Sequence, residues 1–362
     1  MKFNTKTQNS STLKTLRLGK NRNMNSIITL VILLSSFNAI SQTEEPEEKK
    51  SKFSFSGSAD AYYKTNLSST DVGSQSFGTS FANQTGFALG MANVIVSYEG
   101  EKTGAVADLA YGSRGLEAVG GDSDIFINQL YAYWNVSEAT TLTLGRFNTY
   151  LGYEVISPVG NFNYSTSHLF SNGPFSHVGL KADFTISDDF SLMAALMNVT
   201  DVNNNFSGDY AIGAQLGYKG QYLNLYYDGA DSDIGIGFEI DYTGGFDMSD
   251  EFFLGINAAY NVENDDDLSF YGFALYPQYS LSDSFGLGLR GEYFGNHQKD
   301  VDDIPAVLGL TLTGSYSIEN LTIKPEIRLD SWNNDYEPFI DNDSNATNSL
   351  AAFTIAAIYK FD

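Results

Sequence analysis

Cysteine is absent from this chain of 362 residues, so neither disulfides nor a thiolate metal site can hold it together. Histidine occurs three times and tryptophan twice. Basic residues are scarce: 20 Lys and Arg stand against 44 Asp and Glu, a formal charge of -24. Six of the 20 (Lys2, Lys6, Lys14, Arg17, Lys20 and Arg22) lie before position 24 in a stretch without acids, which leaves 14 against 44 for the remainder. Binding phosphates needs a basic surface, so nucleic acid is excluded as a partner. Long hydrophobic runs are missing too. The apolar stretch from Ile27 to Ile40 is 14 residues, short of the roughly 20 that a spanning helix needs. With basic residues before it and Ala39-Ile40-Ser41 closing it, the stretch predicts a signal peptide over 1–41. No cysteine follows, which excludes a lipoprotein. Residues 42–52 are a mixed acidic and basic spacer.

What is abundant is Phe (26), Tyr (23) and Gly (34), a mixture that favours strands. From Phe53 onward no segment shows sustained helical periodicity, while two-residue alternation recurs almost to the end. In 321–330, Leu321, Ile323, Pro325, Ile327 and Leu329 alternate with Thr322, Lys324, Glu326, Arg328 and Asp330. Sixteen such runs are expected: 53–64, 85–98, 104–112, 125–136, 140–147, 177–186, 190–199, 209–218, 221–230, 233–242, 251–262, 268–280, 285–295, 305–317, 321–330 and 348–361. Most have about the nine to eleven residues of a tilted membrane strand. Connections alternate in length. Odd ones are generally long (65–84, 113–124, 148–176, 200–208, 263–267, 296–304, 331–347); even ones are usually tight, such as Lys219-Gly220 and Glu319-Asn320. Long loops at one end and short turns at the other describe a bacterial outer-membrane barrel, whereas a soluble sandwich has no reason to keep that parity.

The sequence therefore predicts an all-β, transmembrane, antiparallel up-and-down barrel of about sixteen strands over 53–362, with both termini at the short-turn end. The last strand ends on an aromatic face, Phe353, Ile355, Ala357, Tyr359 and Phe361. A Lys or Arg facing the bilayer midplane costs about 2 to 4 kcal/mol, so charged faces point inward. That assigns Asp60, Lys181, Asp183, Glu239, Asp241, Arg290, Glu292, Lys324, Glu326, Arg328 and Asp330 to the lumen wall. Ile234, Ile236, Phe238, Ile240, Tyr242, Phe285, Leu287 and Leu289 face lipid, and Tyr98, Trp134, Tyr218, Tyr293 and Tyr316 sit at girdle positions. A barrel of this strand number is too wide for its side chains to fill, which implies an aqueous channel.

The third long connection, 148–176, is aromatic and apolar, with Gly152, Pro158, Gly160 and Pro174 blocking regular structure. Folding into the lumen would bury it and narrow the pore. Its polar contact surface is expected at Tyr150, Tyr153, Glu154 and His168. A basic strip of Arg290, Lys324 and Arg328 is expected opposite acids such as Glu154. Gly145-Arg146-Phe147, Gly152-Tyr153-Glu154, Asn163-Tyr164-Ser165 and Phe170 through Gly179, together with the opening Phe53 to Tyr63, resemble the OmpL-like β-barrel porin family over roughly 53–362. That resemblance implies an outer-membrane porin without naming its solute.

Other chemistries fit less well. Ser165 and Ser167 near His168 form a nominal Ser/His set without a nucleophile turn, and an enzyme is not expected. A transporter of hydrophobic substrates would want an apolar lumen. A non-conducting adhesin or structural barrel would share the architecture without the channel. Acids at Asp265 to Asp267, Asp300 to Asp303 and Asp341 to Asn345 read as solvated loops. At the last of these Ala346 stands where a calcium loop needs Gly, so neither metal nor cofactor is expected. The expectation is a diffusion channel for small hydrophilic solutes in the outer membrane of a Gram-negative bacterium, with a preference for cations. Its expected surroundings are outer-membrane lipids and lipopolysaccharide, the barrel-assembly machinery during biogenesis, and small solutes or ions inside. Assembly as a homo-oligomer is left open.

Overall fold

The computed structural model describes residues 52–71, 77–119, 127–229, 235–263 and 268–362. The expected signal peptide, nearly all of the spacer, Ile234 and Asp265 to Asp267 lie outside them. The strands are β1 (Phe53–Asn66), β2 (Gly86–Glu99), β3 (Thr103–Tyr111), β4 (Ile127–Ser137), β5 (Thr140–Asn148) and β6 (Ser176–Thr185). They continue as β7 (Phe190–Asn198), β8 (Tyr210–Tyr218), β9 (Gln221–Tyr227), β10 (Phe238–Asp247), β11 (Phe252–Val262) and β12 (Ser269–Ser282). The series ends with β13 (Phe285–His297), β14 (Ala306–Ile318), β15 (Leu321–Trp332), a short ribbon of β16 (Phe339–Ile340) and β17 (Ala346–Thr347), and β18 (Ser349–Phe361). Two short helices, α1 (Ser113–Val119) and α2 (His168–Asn172), sit in long connections.

Every strand but β16 and β17 pairs antiparallel with its neighbours, and β1 pairs with β18 to close a ring of sixteen. Closure leaves no unpaired edge, the condition for a sheet to survive in lipid. The hairpins at one end are tight. At Lys219-Gly220 both residues have positive φ, 49° and 77°, the primed turn whose twist matches that of the flanking strands. Both barrel termini lie at this end, with Phe53 opposite Tyr98 and Phe361 opposite Gly57.

Alternation decides the two faces. Outward positions carry exposed Leu89, Leu144, Leu180, Leu196, Leu312 and Ile327, an apolar band far larger than a soluble monomer tolerates. Phe238, Leu287 and Leu289 are exposed on that band, as are Tyr98, Trp134, Tyr218 and Tyr316 near strand ends. Inward positions carry the charges. One strand is placed differently from expectation, with its alternation kept. The tenth strand runs 238–247 rather than 233–242, and Ile236 joins an interior cluster with Tyr150 and Tyr226 instead of facing lipid. The cause is local: Asp228 accepts hydrogen bonds from the N–H groups of Ile236 (2.8 Å) and Gly237 (3.0 Å), and Gly237 has φ 67°. These interactions hold 236–237 as loop, so pairing begins at Phe238.

Candidate functional site

Residues 149–175 leave β5, cross the lumen and return to β6. A chain inside a barrel must find partners for its peptide groups, and the wall charges supply them. Glu326 accepts from the N–H of Tyr164 (2.7 Å) and Ser165 (3.1 Å). Glu292 accepts from those of His168 (3.0 Å) and Leu169 (2.8 Å), and Asp241 from that of Gly152 (3.0 Å). The bases bind carbonyls. Arg290 donates to Ser165 (2.6 Å) and Thr166 (3.2 Å), Arg328 to Thr166 (2.7 Å), and Lys324 to Pro158 (2.9 Å) and Asn161. Side chains add the Arg290–Glu154 ion pair at 2.6 Å and a hydrogen bond between His168 and Asp330 at 2.7 Å. A hydrogen bond to a charged group contributes roughly 1.5 to 3 kcal/mol, about twice a neutral one, so the loop is clamped rather than laid in place.

Packing completes the clamp. Pro158, Gly160 and Pro174 keep most of the segment irregular; its one helical turn, α2, is capped by Ser167, whose Oγ accepts the N–H of Phe170 at 2.9 Å. Three wall glycines are sockets. A Cβ would lie 2.3 Å from the Tyr150 hydroxyl at Gly213, 2.3 Å from the Tyr153 hydroxyl at Gly255 and 2.4 Å from the Phe162 ring at Gly288. Gly288→Val is therefore expected to dislodge Phe162 and to destabilise the folded barrel by roughly 1 to 3 kcal/mol, the usual cost of overpacking. Thermal unfolding followed by heat-modifiable gel mobility measures it, and an unchanged midpoint would show that the socket is unimportant.

Two other connections also enter, which the sequence reading did not anticipate. Helix α1 packs on β2, β3 and β4. From it Arg114 donates to the carbonyls of Ile156 (2.9 Å) and Tyr164 (2.7 Å) and lies over the rings of Phe81 and Tyr164. Phe81, from the first long connection, stacks on Phe175 at 5.9 Å. Phe77 lies beneath both Lys64 and Arg328. The available signal was Phe77, Phe81 and Arg114, scattered with Leu116 and Val119 through two connections rich in Ser, Thr and Gly. It is too short to carry a period.

The predicted residues fall into place as follows. Tyr150, Glu154 and His168 are buried. Their polar atoms meet protein rather than a water-filled passage: Tyr150 donates to the carbonyl of Leu225 (2.6 Å), and Ser167 Oγ donates to Glu154 (2.5 Å). Tyr153 is half-buried and stacks on Tyr276 at 4.3 Å. Glu239, Asp241, Arg290, Glu292, Lys324, Glu326, Arg328 and Asp330 point inward and are buried, while Lys181 and Asp183 keep 15% and 41% side-chain exposure. The Ser/His set is not assembled as a nucleophile and base, since His168 meets Asp330 and Ser167 meets Glu154. At the ribbon tip Asp341 accepts from the N–H groups of Asp343 and Asn345, both at 2.8 Å, which hold its carboxyl below the usual carboxylate range.

A clamped loop within a closed sixteen-strand barrel invites comparison with known channels. The sequence model described as "Putative beta-barrel porin-2, OmpL-like" matches residues 52–361. The chain belongs to that family. This places the OmpL-like porin among outer-membrane β-barrels. No curated relative matches its sequence. Among solved structures it resembles the outer-membrane channel DcaP of Acinetobacter baumannii, with TM-score 0.54, 12% identity, and coverage of 85% of this chain and 97% of that one. It also resembles an anion-selective porin from Comamonas acidovorans (0.57, 10%, 85% and 99%) and OprB of Pseudomonas putida (0.55, 10%, 86% and 94%). At such identities the likeness shows the fold alone. The clamp and the register of this porin are read from its own residues.

Proposed function

We propose that this OmpL-like porin is a passive diffusion channel for small hydrophilic solutes, in which the segment 149–175 sets the narrowest cross-section. The observation that carries the reading is the fixed loop inside a closed barrel too wide to fill itself. In the same reading the N-terminal leader directs export, and the assembly machinery inserts the barrel among outer-membrane lipids and lipopolysaccharide. Purified protein in a planar bilayer is expected to give discrete, ohmic single-channel steps. A correctly folded barrel that gives none would leave only a structural or adhesive role.

The expected cation preference rests on the acidic loops at the long-loop mouth. The wall acids Glu239, Asp241, Glu292, Glu326 and Asp330 are buried under the loop, whereas Asp300, Asp302, Asp303, Asp335, Glu337 and Asp343 are exposed in the long connections. Charges at a mouth attract counter-ions from outside the narrow part, and their field decays over about 8 Å at physiological ionic strength and about 3 Å at 1 M. Reversal potentials across a tenfold KCl gradient are expected to favour potassium when the gradient is built at low salt and to approach neutrality at high salt. A cation preference that does not change with salt would point to a source within the barrel, and anion selectivity would end this part of the reading.

A further inference from the structure

The clamp reaches most of the ring. Its charged wall anchors stand on β10, β13 and β15, Arg114 of α1 holds the loop from the side of β2, β3 and β4, and the segment entering from β5 is held against β8 and β9 through Tyr150. Cover varies along the barrel axis. On β5 Thr143 and Phe147 are buried, as are Glu292, Thr311, Thr313 and Glu326 across the lumen, while inward positions nearer the tight turns, Tyr133 and Thr141 on one side and Ser317 and Thr322 on the other, are only partly covered.

Lys181 and Asp183 stand where this cover thins. Both occupy inward positions of β6, opposite Thr143 and Thr141 of β5, and Lys181 is the sixth of the strand's ten residues. Their charged groups are 3.0 Å apart, and the ammonium lies 5.6 Å from the centre of the Phe147 ring. Among the described residues, every other charge that points inward from mid-strand is buried, namely Asp60, Lys64, Asp108, Glu239, Asp241, Arg290, Glu292, Lys324, Glu326, Arg328 and Asp330. Buried charges are compensated by the groups they bind and act on a passing solute only weakly; an exposed pair on the remaining wall acts on it directly.

We propose that the passage runs past the Lys181 and Asp183 pair on β6 and that the two together form its selectivity element. The inference rests on the pore reading and adds to it a path and a preferred class of solute. One positive and one negative charge in contact give the narrow part a dipole and no net charge. Such a wall discriminates little between simple cations and anions, and it favours small neutral or zwitterionic solutes that can pair with both groups. The cation preference argued above is then a property of the mouth, superimposed on a nearly neutral interior.

The test uses the full barrel in planar bilayers at about 10 mM salt, where the Debye length is about 30 Å, and reads each variant against wild type so that the unchanged mouth charges cancel. An unpaired charge about 7 Å from a permeating ion in water contributes roughly one RT, a two- to threefold change in permeability ratio. Lys181→Gln is expected to raise the potassium-to-chloride ratio by about that factor, Asp183→Asn to lower it by about the same, and the double variant to return near wild type. Because the chain has no cysteine, Asp183→Cys provides a single thiol. A small, membrane-impermeant cationic thiosulfonate is expected to label it in the folded barrel, and the same reagent should not label Glu326→Cys on the covered wall. A conducting barrel whose ratio ignores both single variants, with Asp183→Cys unlabelled, overturns the assignment and leaves the pore reading standing. A wild-type barrel that never conducts overturns both.

Discussion

Deletion of residues 155–172 is expected to raise single-channel conductance by at least about threefold, because the removed segment obstructs a lumen that the wall side chains do not fill. The joint is sterically easy: Asn148 and Ser176 are paired neighbours on β5 and β6, so the nine residues that remain between them can close the connection on the rim. The deletion also takes away the peptide groups that 155–172 offers to Arg290, Glu292, Lys324, Glu326 and Arg328, while Glu154 and Asp330 remain, and water must replace what is lost. Water can do so in a hydrated lumen, which is why the barrel is expected to fold and to show its usual heat-modifiable mobility. Selectivity should change along with conductance, since charges now buried would line the pore. An unchanged conductance in a correctly folded deletion would mean that the loop does not constrict the path.

Arg290→Met is expected to be the most damaging single substitution in the clamp. The guanidinium reaches the Glu154 carboxylate (2.6 Å), the carbonyls of Ser165 and Thr166, and Thr311 Oγ1 (3.1 Å). Removing one partner of a buried pair costs about 3 to 5 kcal/mol, because the other charge is left without compensation. The expected readouts are a lower thermal midpoint and noisy, fluctuating open-channel current as the loop loosens. Arg290→Lys should rescue little, since an ammonium cannot reproduce the planar fork. Adding Glu154→Gln to Arg290→Met should restore part of the loss, and full additivity of the two changes would show that they do not act as a pair.

The strands were legible because each buries one face and shows the other to lipid, a condition that writes a two-residue period into the sequence. The inward fold of 148–176 was legible from its composition, since an apolar segment of that length has nowhere else to be buried. The strip of Arg290, Lys324 and Arg328 opposite Glu154 was visible as a set of positions but not as a set of contacts. Whether a wall charge meets water or a carbonyl depends on where the loop lies, and no local pattern encodes that. For the same reason Lys181 and Asp183 could not be told apart from Glu326 and Asp330. The shift of β10 was hidden because Ile234, Ile236 and Phe238 continue the alternation of the true strand. Only the capture of 236–237 by Asp228 breaks it.

The wall grips the loop mainly through peptide groups, which every residue possesses. Five N–H groups, those of Gly152, Tyr164, Ser165, His168 and Leu169, and four carbonyls, those of Pro158, Asn161, Ser165 and Thr166, receive the wall charges. The barrel is in this respect a holder that recognises a backbone path, and the insert is an interchangeable part. A foreign segment of equal length could be grafted between β5 and β6, provided it keeps an acid at the Glu154 position, has no proline at the five donor positions and fills the sockets at Gly213, Gly255 and Gly288. The bore and chemistry of the channel could then be rewritten without altering a single strand.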